Sequence, residues 1–226
     1  LDDSRDSDEL LIEQALQGDK VALAEIFARY RERLRRMVDL RMDRRVQQRV
    51  SASDVLQEAY VDLANQLANY ARDPVLPFFV WVRRITGQRL AKIHRSHLGA
   101  QKRDASLEVS LYQGSVPQAT SFALASILAG SFTSVVNKAM QIERQIKLQE
   151  VLNSMDPDDR EILAMRHYEQ LSNSEVAKVL DITDAAAGMR HLRALRRLKD
   201  SLSPYGEMFE LTGSIPEQNR EQMPRG

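Results

Sequence analysis

The sequence has no cysteine and little glycine or proline, and each shortage narrows the class of protein. Without cysteine, the 226 residues hold neither a disulfide framework nor a thiolate metal site, as is typical of a reducing cytoplasm. Nine glycines, seven prolines and no long β-branched run favour helices over strands. We therefore expect an all-α protein, whose 43% apolar composition is sufficient for hydrophobic cores.

Long apolar runs and enzyme motifs are also lacking. The longest weakly charged stretch, residues 109–137, is interrupted by polar residues, so we expect no membrane insertion, and no signal peptide is visible. There is no phosphate-binding glycine loop, nucleophile elbow or metal triad, and we expect neither an enzyme nor a cofactor. His94 and His97 lack a third ligand, and their basic neighbours favour phosphate contact over metal binding.

The net charge is zero, but the charge is unevenly distributed. Residues 10–103 hold 18 basic and 10 acidic side chains, and residues 160–200 hold eight and six. Residues 104–159 are acidic, with three and seven, and both ends of the chain are acidic too. Two basic segments separated by an acidic one are suited to contact nucleic acid at two places.

Residues 171–198 have the local signals of a helix-turn-helix. Ser172 and Glu175 form a capping box at the start of a short helix, and Thr183 is the N-cap of a longer one. Five basic residues lie along the longer helix: Arg190, Arg193, Arg196, Arg197 and Lys199. Such a helix is suited to the major groove of DNA, although a solvated amphipathic hairpin in a helical bundle has the same caps.

A third short helix precedes these two. Asp156 is placed as its N-cap and Pro157 at its first position, and its apolar pattern runs to Tyr168. Together the three helices predict a small bundle that presents the last helix.

Four amphipathic helices are predicted in the first half of the chain. Capping residues mark the first three starts: Ser7, Asp19 and Ser53. The basic residues 39–50 either continue the second helix or form its loop. Two prolines exclude a helix through 71–77, so the fourth helix covers about 78–97.

These patterns predict two small helical domains joined by a long linker. The first covers 8–103 and the second 141–202. Between them, 104–140 is a linker with short or transient helices, and 203–226 is a polar tail.

Four segments resemble the motifs of one family. Residues 54–60 are similar to its D-x-x-Q-E-x-(F/Y) run, and residues 78–85 to its F-x-x-W-(L/V)-x-R-I run. Residues 155–166 and 171–198 follow its helix-turn-helix pattern. The chain thus resembles an extracytoplasmic-function (ECF) RNA polymerase sigma factor of the sigma-70 family, over about 10–103 and 140–200.

The resemblance implies a function and partners. Such a factor binds the clamp coiled coil and the flap of core RNA polymerase, recognises the −35 and −10 promoter elements and helps to melt the DNA. An anti-sigma factor is a further partner that the resemblance suggests. Two other readings of the residues remain: a one-component helix-turn-helix regulator, and a helical polymerase-docking adaptor that binds no DNA.

The resemblance also implies functional residues. The polymerase-docking residues would be Asp54, Gln57 and Glu58. The −10 residues would be Tyr70, Phe78, Trp81, Arg83, Arg84, Gln88 and Lys92, although core burial also suits the aromatics. The −35 residues would be Thr183, Asp184, Ala185, Gly188, Met189, Arg190, Leu192 and Arg193.

The second half departs from the family at the recognition helix. Gly188, Met189 and Leu192 offer no bidentate hydrogen bonds to base edges, unlike the polar residues of many relatives. Readout is therefore expected through backbone, shape and methyl contacts. His191 takes a position that is normally aliphatic, and we expect it to be half-buried.

Overall fold

The computed structural model describes residues 3–98, 119–131 and 138–209, and within these ranges the chain forms helices joined by short turns, with no strand. The helices are α1 (Asp3–Leu16), α2 (Lys20–Arg41), α3 (Arg44–Gln47), α4 (Ala52–Arg72), α5 (Phe78–Leu98), α6 (Ser121–Ser131), α7 (Lys138–Ser154), α8 (Pro157–Leu163), α9 (Asn173–Leu180), α10 (Asp184–Leu202) and α11 (Gly206–Phe209). A π-helical turn (Ala164–Tyr168) follows α8, and a 3-10 turn (Ser203–Tyr205) follows α10. The all-α class is confirmed. The end of the tail and most of the predicted linker lie outside the described residues.

Local capping signals place most helix starts where the sequence predicts them. The Asp19 carboxylate accepts hydrogen bonds from the backbone of Val21 and Ala22, and Asp156 caps α8 in the same way. Both hydrogen bonds of the Ser172–Glu175 capping box are present, and Thr183 caps α10. These interactions satisfy backbone donors that a helix N-terminus leaves without partners.

The start of α4 differs from the prediction by one half-turn. Its N-cap is Ser51, not Ser53. The Ser51 hydroxyl accepts from the backbone of Asp54, and the Asp54 carboxylate accepts from the Ser51 backbone at 2.8 Å. Residues 51 and 54 stand at the three-residue spacing of a capping box, which satisfies two donors and fixes the earlier start.

Helices α1, α2, α4 and α5 pack together as the first module. Their inward positions repeat at helical spacing and are fully buried at Ile26, Leu34, Leu63 and Leu90. The short α3, capped by Asp43, occupies part of the basic segment after α2. The first module is thus the four-helix arrangement that the apolar pattern predicts, with one additional turn of helix.

Part of the predicted linker is a packed helix and not a loose segment. The backbone of Thr120 donates to the Leu40 carbonyl at the end of α2 (3.0 Å), and Ala119 donates to the Glu161 carboxylate (3.0 Å). Leu124 and Ala125 of α6 are buried, and α6 packs against α7. Residues 121–131 carry no charge, and burial of their apolar side chains favours a fixed position.

Helices α8, α9 and α10 form the second module. The turn between α9 and α10 passes through Asp181, whose φ of 54° is left-handed. Aspartate tolerates this conformation better than most residues because its short side chain hydrogen-bonds locally. Ile182 follows, and its backbone donates to the Ala177 carbonyl at 3.0 Å. The turn therefore closes without glycine, and its apolar plug packs against the core as predicted.

A buried cluster of two arginines and two glutamates joins the modules. Arg41 of α2 bonds Glu161 of α8, and its Nη1 lies 2.5 Å from Glu169, which follows the π-helical turn. Arg83 of α5 places its Nε 2.7 Å from the other Glu169 oxygen. We call these four residues the ion cluster. Three of them, Arg41, Arg83 and Glu169, are almost completely buried, and the charges balance.

The stability of the ion cluster depends on all four of its residues. Burial by itself raises the pKa of Glu169, but Arg41 and Arg83 outweigh that effect and hold its pKa below the ordinary glutamate value. A buried pair gains little over apolar packing, whereas the loss of one partner leaves a buried charge uncompensated. At the edge of the cluster, Arg33 bonds Glu175 at 2.8 Å and covers the Phe79 ring. The contact between the modules is thus specific in its geometry and sensitive to the loss of one charge.

We expect Glu169→Gln to separate the two modules without unfolding either one. The substitution keeps the side-chain shape but leaves Arg41 and Arg83 with Glu161 alone, at a cost of about 3–5 kcal/mol. Small-angle X-ray scattering should therefore show a larger radius of gyration while the helical circular dichroism persists.

The matched control is Glu150→Gln, which removes an exposed pair with Lys147 on α7 and should leave the radius unchanged. Because the pKa of Glu169 is lowered on folding, its stabilising contribution is present above the ordinary glutamate pKa and is lost as the pH falls through the folded value. An unchanged radius for Glu169→Gln would contradict the role of the cluster.

Candidate nucleic-acid interface

An aromatic group lies where α4 ends and α5 begins. The rings of Tyr70 and Trp81 stack, with centroids 4.4 Å apart and planes 24° apart. Phe78 packs against both rings. Residues 73–77 connect the two helices beside this group, and the Tyr70 hydroxyl donates a 2.7 Å hydrogen bond to the Leu76 carbonyl. Burial raises the pKa of Tyr70, so its hydroxyl stays protonated and able to donate.

A cavity of about 290 Å³ opens beside the stacked rings, and we call it the aromatic pocket. Its lining residues are Gln66, Asn69, Tyr70, Asp73, Val75, Leu76, Trp81 and Arg84. Aromatic faces, two amides, a carboxylate and a guanidinium are thus directed at one space. A planar heterocycle with hydrogen-bonding edges, such as a nucleobase, matches this chemistry.

The structure separates the residues predicted for the −10 element. Tyr70, Trp81 and Arg84 line the aromatic pocket, while Phe78 supports it from the core. Gln88 and Lys92 are exposed further along α5. The lining residues absent from the predicted set include two amides of α4, Gln66 and Asn69. Their helical spacing from Tyr70 and Asp73 is the signal that could have found them.

Arg83 does not share the exposed basic surface predicted for it. It is 3% exposed and bonds Glu169 of the second module. Arg83 is buried and not exposed because the Glu169 carboxylate compensates its charge. A buried arginine is tolerated only with such a partner. Contact between Arg83 and DNA thus requires the modules to separate.

The three predicted polymerase-docking residues are exposed on the first turns of α4. Asp54 is part of the capping box, and hydrogen bonds from Ser51 lower its pKa. Glu58 accepts a 3.1 Å hydrogen bond from Arg89 of α5. Gln57 makes no hydrogen bond to a described residue, so it is the best position at which to test docking without disturbing the fold.

The faces of α10 have different environments. Ala187 and Ala194 are buried against the module, whereas Ala185, Met189 and Leu192 are exposed on the opposite side. Two side-chain hydrogen bonds fix the start of α10. The Thr183 hydroxyl accepts from the Ala186 backbone, and the Asn173 amide donates to the Asp184 carbonyl at 2.7 Å.

Other predicted −35 residues lie on the sides of α10. A Cβ added at Gly188 would lie 3.8 Å from the Asn173 Oδ1, so this position faces α9 and not the open side. Arg190 lies 4.0 Å from Asp158. Arg193 is exposed, and its Nε bonds the Met189 carbonyl of its own helix at 3.4 Å. The two arginines therefore lie along one side of the exposed apolar side chains.

Three of the four histidines have structural partners. His191 is half-buried, as predicted, and its Nε2 lies 2.8 Å from the Nε2 of His167. His94 is buried, and its Nε2 accepts a hydrogen bond from the Asp43 backbone at 3.3 Å. The prediction that His94 contacts phosphate is wrong, because its ring is buried against the backbone of Asp43. Burial also lowers its pKa.

The described residues offer neither a metal site nor a membrane-spanning helix. No group of three or more His, Asp or Glu side chains is placed to hold a metal ion there. Nor is any helix of the described ranges both long and apolar enough to cross a membrane.

We expect Tyr70→Phe to loosen the segment between α4 and α5. The variant keeps the ring stack but loses the hydrogen bond to Leu76, a loss of about 1 kcal/mol. Hydrogen exchange at the backbone amides of Val75 and Leu76 should accelerate. The control is Tyr60→Phe on the same helix, because the Tyr60 hydroxyl bonds no described residue. Equal exchange in both variants would exclude this role for the Tyr70 hydroxyl.

Comparisons with known proteins agree with this geometry. Residues 145–198, which contain the helix-turn-helix, match the family model "Sigma-70, region 4". The ECF RNA polymerase sigma factor SigD of Mycobacterium tuberculosis is 26% identical over 197 residues, which cover 87% of this chain and 84% of that protein. The RNA polymerase sigma-H factor of Pseudomonas aeruginosa is 24% identical over 204 residues, which cover 89% and 96%.

A solved structure has the same fold. CnrH, in complex with the cytosolic domain of CnrY, aligns with a TM-score of 0.51 and 21% identity over 87% of this chain and 97% of that one. Motifs, fold and sequence relatives thus agree across both modules. The chain is a sigma factor for promoter recognition by RNA polymerase, and it is similar to ECF members of the sigma-70 family.

Proposed function

We propose that the chain directs core RNA polymerase to promoters through three surfaces. The exposed start of α4 docks on the clamp coiled coil of the polymerase, the aromatic pocket captures a base of the −10 element, and α10 enters the major groove of the −35 element. The observation that carries this proposal is the aromatic pocket, whose chemistry suits an unstacked base.

Capture of an extruded base explains why the pocket combines these side chains. Extrusion costs a few kcal/mol of stacking and pairing, and stacking on an aromatic ring recovers about 1–3 kcal/mol. Tyr70 and Trp81 supply ring surfaces, while Gln66 and Asn69 supply donors and acceptors for a base edge. Arg84 lies at the same place and is suited to the adjoining phosphate.

The −35 surface is preorganised within the second module. Arg190 and Arg197 lie beside Asp158 and Asp159 of α8, which restricts their side chains to one flank of α10. Arg193 and Arg196 are exposed. We propose that these arginines contact phosphates, as cations along a recognition helix do, while the residues between them face the base pairs.

The closed arrangement of the modules cannot reach both promoter elements. The −35 and −10 positions differ by about 25 base pairs, or roughly 85 Å at 3.4 Å per pair. A compact chain of 226 residues has a radius of gyration of only about 17 Å. We therefore infer that the ion cluster opens on the polymerase, and that the free chain binds promoter duplex poorly.

Further features of the proposal follow from the resemblance. We propose that the chain acts in the cytoplasm, has no catalytic activity of its own, and also docks on the polymerase flap. An anti-sigma factor is proposed as a regulatory partner, and the neighbour CnrH is itself seen with the cytosolic domain of CnrY.

Run-off transcription with core polymerase on a promoter library tests the function, and we expect transcripts only when the chain is present. Gln57→Ala should weaken co-purification with core polymerase, because it alters the docking face without touching the α4 cap.

Asn65→Ala is the control for Gln57→Ala. Asn65 is exposed two turns further along α4, away from Asp54 and Glu58, so the variant should co-purify normally. Absence of transcription on every promoter would refute sigma activity. Tight binding of the free chain to duplex DNA would instead indicate a one-component regulator.

A second variant pair tests the aromatic pocket. Asn69→Ala should weaken binding of single-stranded −10 DNA by the polymerase-bound chain about tenfold, because a base edge loses its amide partner. Asn65→Ala is the control, since Asn65 is exposed on the same helix but does not line the pocket. Fluorescence anisotropy measures both, and equal affinities would show that the pocket does not hold the base.

A further inference from the structure

The outward side of the recognition helix is apolar. Side chains four and three residues apart share one helix face, and on α10 this outward row runs through Ala185, Met189 and Leu192 to Arg196. Met189 is 57% exposed and Leu192 is 46% exposed. Neither side chain can donate or accept a strong hydrogen bond, yet both occupy the part of the helix farthest from the buried Ala187 and Ala194.

Cations along one side of the row and at its end indicate a polyanionic partner. Arg193 and Arg196 are exposed, and Arg190 and Arg197 are positioned by acidic residues of α8. The groove of a nucleic-acid duplex suits this arrangement, since its base pairs lie next to a line of phosphates. An apolar peptide would cover Met189 and Leu192 but would leave the exposed Arg193 and Arg196 without countercharges.

The major groove offers such a row one favourable feature. Base edges there present hydrogen-bond donors and acceptors, and an apolar side chain that covers one without replacing its partner loses affinity. The exception is thymine, whose C5 methyl group is apolar and projects into the groove. Contact between this methyl and an aliphatic side chain removes apolar surface from water on both sides.

We propose that Met189 and Leu192 read thymine methyl groups in the −35 element. This inference rests on the proposed binding of α10 to that element, and it adds the chemical feature that is recognised. The two side chains lie about one helical turn apart, roughly 5–6 Å between Cβ atoms, which suits methyls of neighbouring base pairs. Specificity at these positions then does not come from arginine contacts with guanine.

Replacement of thymine by deoxyuracil tests the proposal, because it removes the methyl group and keeps every hydrogen-bonding group. The best −35 duplex is first selected from a random pool with the chain bound to core polymerase. Each thymine is then replaced singly by deoxyuracil. At the positions read by Met189 and Leu192 we expect affinity to fall about fourfold, the change given by burial of one methyl-sized group.

The variants assign the effect to particular side chains. In Met189→Ala and in Leu192→Ala, one deoxyuracil effect should disappear while the other remains. Arg196→Ala is the control on the same exposed row, and it should lower affinity for every duplex while both deoxyuracil effects persist. Circular dichroism verifies that each exposed substitution leaves the fold intact.

Three results would overturn the inference. One is a selected −35 duplex that binds equally with thymine and with deoxyuracil, in which case −35 binding by α10 still stands. Another is a set of deoxyuracil effects that persist unchanged in both alanine variants, which would assign them to other residues. The third is failure to select any −35 sequence, and this result alone would also overturn the proposed role of α10.

Discussion

The ion cluster between the modules is the interaction on which the rest of the arrangement depends. Arg41 and Arg83 are buried in the first module at positions that only an acidic partner makes tolerable, and the second module supplies Glu161 and Glu169. The same Glu161 accepts a hydrogen bond from the Ala119 backbone, which ties the start of the connecting helix α6 to the cluster. The two arginines and two glutamates thus fix the relative position of the modules and of the segment between them.

Helix α5 connects this cluster to the proposed DNA contacts. Trp81 and Arg84 line the aromatic pocket, while Arg83, between them in sequence, points to Glu169. A helix brings consecutive residues to different faces, so one turn can serve both a DNA site and a contact between modules. Release of Glu169 would therefore free a guanidinium next to the residues proposed to hold the −10 base.

Helix positions and caps were largely predictable from the sequence because they depend on residues within four positions of each other. Asp19, Ser172 and Thr183 are such cases, and the error at Ser51 was one half-turn. The bond between Arg83 and Glu169 joins residues 86 positions apart, and no local signal encodes it. Likewise, the motifs indicated Tyr70 and Trp81, but the pocket that includes Asn69 required their three-dimensional arrangement.

The distance between the modules tests this account most directly, and the lack of native cysteine makes the measurement straightforward. Spin labels at Val61→Cys on α4 and Ser174→Cys on α9 would report it by double electron–electron resonance. The account predicts one short, narrow distance distribution for the free chain. With core polymerase and promoter DNA, it predicts a shift to longer distances by tens of ångströms, given a promoter span of roughly 85 Å. The same distribution in both states would contradict a closed form that must open to act.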